Sequence, residues 1–268
     1  MSELTGYVET WWSAVGEFGS LLERLPDDAW HLPTDLAGWD VHAVVAHTAH
    51  LEALLAGTPH DDVEIGNAPH AVGMMGQFTE QGVVARRGRS PHDLIDEIRT
   101  STAARHAALV ADPPTDPDAP APGLFGAIGW STRTLLRNRP LDVFMHEQDI
   151  RRAVGLPGGM DAPAAIHTAD YLLESLPFSI AKKAALPAGT CVVLQVAGHA
   201  PVAAEVGDDG RGRRVDAATA TPDVRLTTDR ESYLLLAGGR RTPDPARVNV
   251  AGDAELGQRL RTSLAVTP

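Results

Sequence analysis

Apolar residues recur at helical spacing through the first half of the chain. Over residues 5–25 they fall at Val8, Trp11, Trp12, Val15, Phe18, Leu21 and Leu22, three and four apart, which is one face of an amphipathic helix. Pro26-Asp27-Asp28 ends it, and residues 30–35 read as loop. A second helix is predicted over residues 40–56. Asp40 stands at its start, Val41, Val44, Val45, Leu51, Leu54 and Leu55 form its apolar side, and Gly57 stops it. Residues 58–69 are an acidic connection. A third helix is predicted over residues 71–87, and Ser90-Pro91 marks the start of a fourth over residues 91–110. Residues 112–122, rich in proline and aspartate, are loop, and residues 132–137 can be helical. The last helix of this half is expected to start at Pro140, whose fixed φ suits a first turn, and to stop at Gly155.

The pattern changes after Gly155-Leu156-Pro157-Gly158-Gly159, which reads as a linker. A helix is predicted over residues 163–176. Residues 190–196 are β-branched and bounded by Gly189 and Gly198, a strand signal. Further strands are predicted at residues 200–206, 223–227 and 247–250, and helices at 229–237 and 254–264. The expected fold class is α + (α+β): a helical bundle over residues 1–156, then a small α+β domain over residues 160–268.

Composition narrows the partners. Hydrophobic residues make up 43% of the 268 positions, enough for a sizeable core. The formal net charge of -12 argues against nucleic acid and anionic membrane, both of which favour basic surfaces. A small anionic substrate stays open, because one local arginine overrides the global sign. Cys191 is the one cysteine, so no intramolecular disulfide can form, which fits a cytoplasmic location. Neither a signal peptide nor a membrane span is expected. A monomer or homodimer is expected.

Candidate chemistry begins with Asp142 and His146. Four residues apart, they stack on one helical face and can reach one divalent cation together. On spacing alone a plain helix pair is the commoner arrangement. His47 changes the weighing. It sits mid-helix among Val44, Val45, Ala46 and Leu51, where a lone histidine is most often a core residue bonded to backbone or carboxylate. Bundles, however, build metal sites from inward residues of facing helices. His47, Asp142 and His146 would give two nitrogens and one oxygen with positions left open, the ligand count of a catalytic site. His50, one turn on, is an alternative first ligand, and His42 reads as surface.

The run Leu36-Ala37-Gly38-Trp39-Asp40-Val41-His42-Ala43-Val44-Val45-Ala46-His47, with residues 142–155 much later, resembles the mycothiol-dependent maleylpyruvate isomerase family of actinobacteria. Leu226-Thr227-Thr228-Asp229, Gly239-Arg240 and Val250-Ala251-Gly252-Asp253 fit the C-terminal part of that family. The resemblance implies a DinB-like four-helix bundle followed by a sterol-carrier-like α+β domain. It maps the family's metal ligands onto His47, Asp142 and His146. It departs at Asp142, where the family carries Glu, one methylene longer. The implied cofactors are zinc, or another divalent metal, and mycothiol.

In the implied reaction a metal-held thiolate adds to a cis double bond. The adduct rotates about the resulting single bond, and elimination gives the trans product. Asp149 is expected to orient a ligand from behind. An arginine should meet the substrate's anionic group, with Arg151, Arg152, Arg240 and Arg241 as candidates and Arg240 and Arg151 foremost. Cys191, in a strand-like run, is expected to be buried and inert. Two other readings stay open here. One is a mycothiol-dependent S-transferase of the same superfamily. The other is a non-enzymatic small-molecule or lipid binder, or a regulatory module, whose metal site is vestigial.

Overall fold

The computed structural model describes residues 2–267. The chain divides into two compact units, Met1–Ala164 and Ala165–Pro268. The first is helical: α1 (Glu3–Leu22), α2 (Val41–Leu55), α3 (Gly73–Arg86), α4 (Pro91–Ala111), α5 (Gly123–Ala127) and α6 (Thr132–Ala153). Helix α1 packs on α4 and α6, and α2 packs on the same two, which closes a four-helix bundle, while α3 lies against α2.

Local chemistry sets the helix starts. Asp40 accepts from Ala43 N at 2.8 Å, Ser90 and Asp93 cap each other reciprocally, and Ser131 accepts from Thr134 N. At the end of α6, Gly155 takes a φ of +67°, and Leu156 N bonds back to Arg151 O at 2.9 Å.

Helices α2 and α6 are the buried ones. Every residue of α2 from Ala43 to Ala53 is buried, as is every residue of α6 from Val143 to Arg151. A helix enclosed all round can hold polar side chains only where partners meet them.

Two sequence expectations are corrected. Helix α6 starts at Thr132, and Pro140 sits inside it rather than in a first turn. Proline loses one backbone hydrogen bond there, but its φ is helical and packing on both sides carries the helix through. Residues 27–31, at the edge of the expected loop, form a 3-10 turn anchored by buried Trp30.

Helix α3 meets α2 at Gly82, where an added Cβ would collide with the His50 ring. Gly82→Ala is expected to destabilise the protein by about 1–3 kcal/mol through overpacking. Urea melts measure this, and an unchanged midpoint would contradict so close an approach.

The second unit is α+β. Helix α7 (Pro163–Leu173) leads into α8 (Leu176–Phe178) and a π turn at Ser179–Lys183. Five strands follow, β1 (Cys191–Val196), β2 (Val202–Val206), β3 (Gly212–Val215), β4 (Val224–Thr228) and β5 (Val248–Gly252). Helix α9 (Arg230–Ala237) joins β4 to β5, and α10 (Ala254–Arg261) closes the chain and packs on β4 and β5. The sheet order is β3-β2-β1-β4-β5, with β1 and β4 parallel and the other pairs antiparallel. Central β1 buries Val192, Val193, Leu194 and Val196, as its β-branched run predicts. The pattern missed β3, because its residues Arg213, Arg214 and Val215 stay exposed on a sheet edge and show no apolar alternation. Among the described residues no helix is long and apolar enough to cross a membrane.

Candidate metal centre

The α2–α6 contact brings His47, Asp142 and His146 together. Asp142 Oδ1 lies 3.9 Å from His47 Nε2 and 3.8 Å from His146 Nε2, and one donor atom from each residue falls within 4.8 Å of the others. The imidazoles meet edge to face with centroids 4.7 Å apart. Zinc bonds of about 2.1 Å in tetrahedral geometry separate donors by roughly 3.4 Å, so a small inward movement seats an ion.

The protonation states of His47 and Asp142 suit ligands. Burial holds the His47 imidazole below its ordinary pKa, so it is neutral. Burial alone would raise the pKa of Asp142. The Arg139 guanidinium and the two imidazoles outweigh it and hold the carboxyl far below its usual range. Neutral imidazole and ionised carboxylate are the metal-binding forms. On these grounds the donor set fits a divalent ion of the zinc class. The Asp142 side chain is 20% exposed, against 6% and 9% for the two histidines.

Asp149 holds His146 in place. Asp149 Oδ2 is 3.3 Å from His146 Nδ1, which favours the tautomer with the Nε2 lone pair toward Asp142. Asp149 is held in turn by Arg152, whose Nε donates to Asp35 Oδ2 at 2.7 Å. Asp35 belongs to the segment before α2 that also carries Trp39. The Trp39 ring lies 4.9 Å from the His47 ring and 6.2 Å from that of His146. Its Nε1 donates to buried Glu80 Oε2 at 2.8 Å, which fixes the indole as one wall of the centre. Gly38 adopts a φ of +82° against the His70 ring, where a Cβ would collide.

Behind Asp142 runs a chain of buried charges that sequence reasoning missed. Arg139 Nη1 stands 3.0 Å from Asp142 Oδ2, an ion-pair contact whose N–H is not aimed along it. Arg139 Nε and Nη2 donate to Glu52 Oε1 at 3.1 and 2.7 Å. Glu52 also accepts from Trp11 Nε1 and Arg105 Nη1, each at 3.1 Å. Trp11, Glu52, Arg105 and Arg139 come one from each bundle helix. The available signal was Glu52 falling within an apolar run and Arg139 standing three residues before Asp142.

The remaining expected residues lie as follows. Arg151 donates through Nε to Glu147 at 2.6 Å and through Nη1 to Leu156 O at 3.3 Å. Arg240, in the second unit after α9, donates through Nη1 to Gly238 O at 2.6 Å, and Arg241 beside it is exposed. His50 does not join the triad. Its Nδ1 faces Asp61 Oδ2 at 3.3 Å, beside Arg86 and Phe78. His42 is half-buried, with Nε2 2.9 Å from Arg89 O. Cys191 is buried and its thiol is pushed up by burial, which makes it a poor nucleophile.

Two solved structures resemble this chain along most of its length. A crystal structure of the mycothiol-dependent maleylpyruvate isomerase aligns with a TM-score of 0.59 at 17% identity, covering 94% of this chain and 95% of that one. A crystal structure of a histidine-to-alanine mutant of that isomerase aligns with a TM-score of 0.56 at 16% identity and the same coverage. At such identity the likeness shows the fold. No curated protein matches the chain. Residues 167–259 match the MDMPI C-terminal domain, and residues 11–151, more than half the chain, match the mycothiol maleylpyruvate isomerase N-terminal domain. The chain therefore belongs to the mycothiol maleylpyruvate isomerase family.

Proposed function

We propose that the protein is a metal- and mycothiol-dependent isomerase of the maleylpyruvate isomerase type, acting on a small anionic electrophile. The observation that carries this reading is the convergence of His47, Asp142 and His146 on one point inside a chain of that family. These three residues would hold the ion. Bound there, it would keep a cofactor thiol ionised near neutral pH, ready to add to an electrophile.

The chain's own groups then have defined tasks. Asp149 orients His146. Trp39 excludes water from the side of the two imidazoles, and the partly exposed Asp142 marks the side from which substrate enters. Arg151 is buried and its Nε is taken by Glu147. Arg151 and Arg240 both stay proposed for the substrate's anionic group, and Arg240 Nη1 in turn donates to Gly238 O. Arg152, paired with Asp149 and Asp35, belongs to the scaffold.

The test is turnover of maleylpyruvate and a panel of electrophiles, with and without mycothiol, in metal-loaded and chelated protein. Isomerised product that needs both metal and thiol is expected. A product retaining the thiol sulfur would make the protein an S-transferase. Turnover that survives chelation or needs no thiol would overturn the reading.

A further inference from the structure

We propose that Arg139 is a positioning residue for Asp142, holding it as a one-oxygen ligand and keeping the centre at three protein donors. The proposal rests on the reading of His47, Asp142 and His146 as a metal centre. A free carboxylate can give an ion one oxygen or both. Here the two oxygens of Asp142 face different ways. Oδ1 faces both imidazole nitrogens, at 3.9 and 3.8 Å, and Oδ2 faces the Arg139 guanidinium at 3.0 Å.

Arg139 has little freedom to withdraw. It is 1% exposed, and Nε and Nη2 of its planar fork both sit on Glu52 Oε1, leaving Nη1 for Asp142. Glu52 is fully buried and pinned through its other oxygen by Arg105, from a different helix. The orientation of Asp142 is thus set by the bundle core rather than by an ion.

Two consequences follow for the chemistry. With Oδ2 withheld, a fourth position stays free for an exogenous thiol instead of filling with the second carboxylate oxygen. The row Asp142, Arg139, Glu52, Arg105 also alternates in sign and sums to zero. A bound ion there keeps more of its charge for acidifying a thiol than it would beside an uncompensated carboxylate.

The experiment uses the full chain loaded with cobalt(II), whose visible d–d bands are intense in four-coordinate sites and weaken as coordination number rises. Arg139→Lys keeps a positive charge beside Glu52, but a single ammonium cannot span both acids. The expected result is weaker d–d absorption, with zinc affinity shifted about tenfold or more in competition with a chromophoric chelator. Arg139→Gln removes the fork but leaves Glu52 bonded to Arg105 and Trp11, and is expected to change the spectrum in the same way. It decides the matter if the lysine variant does not fold. A folded variant with the wild-type spectrum and affinity overturns the role of Arg139 alone. A wild-type protein that takes up no cobalt overturns the metal centre itself, and this proposal with it.

Discussion

Glu52→Ala is expected to destabilise the protein by roughly 3–5 kcal/mol, the cost of stripping one partner from buried charges. Glu52 accepts from Trp11, Arg105 and Arg139, and so ties α1, α4 and α6 to α2. Alanine would leave two guanidiniums, 6% and 1% exposed, without their shared anion. Burial already lowers the pKa of Arg105, and only Glu52 opposes that. The same residue predicts acid sensitivity. Burial alone would raise the pKa of Glu52, but Arg139 and Arg105 outweigh it and hold the folded-state value below the ordinary one. A depressed carboxyl contributes stability above its unfolded pKa, about 4.3, and loses that contribution as pH falls through the folded value. Urea melts of wild type and Glu52→Ala from pH 7 down to pH 3 read both effects. The gap between them should narrow at the acid end. A gap under about 1 kcal/mol at pH 7 would mean the guanidiniums find other partners, and the network would not be a structural hub.

Most of the fold was legible because burial leaves a period in the chain. Helix α2 was placed to within a residue at each end, since Asp40 caps it and Gly57 follows it. Helix α6 was half found. Its N-terminal part, Thr-Arg-Thr-Leu-Leu-Arg-Asn-Arg, is rich in arginine, and Pro140 reads locally as a start signal, so only packing reveals one continuous helix. Strand β3 was invisible for the opposite reason, because an exposed edge needs no apolar alternation.

The site divides in the same way. His47, Asp142 and His146 could be named because helical spacing fixes which side chains share a face, and the facing helix followed from the family resemblance. Glu52, Arg105, Arg139 and Trp39 could not. Their roles depend on which helix faces which, and a lone charge in an apolar run carries no record of its partner. Arg139 and Glu52, which meet across the bundle, are 87 residues apart in sequence.

His146→Ala is expected to lose the centre altogether. Two protein donors remain, and a two-ligand remnant binds an ion far more weakly than three. Elemental analysis of untagged protein should fall from about one equivalent of metal to a small fraction. The fold should survive, because Asp149 keeps Arg152 as its partner and the loss is one imidazole at a partly open site. Far-UV circular dichroism checks that. The kinetic signature is a slope in pH. A free thiol with a pKa of ~8.5 is only about 3% ionised at pH 7, so a variant relying on the unassisted thiol should run roughly thirtyfold or more below wild type there. Its rate should climb about tenfold per pH unit toward pH 8.5, whereas wild type, with the thiol already ionised, should lack that slope. Chelated wild type should trace the variant's curve, since both have lost the same group. A variant retaining a full equivalent of metal would show that His146 is no ligand. A metal-free variant with the wild-type rate and pH profile would show that the ion, wherever it binds, does not ionise the thiol.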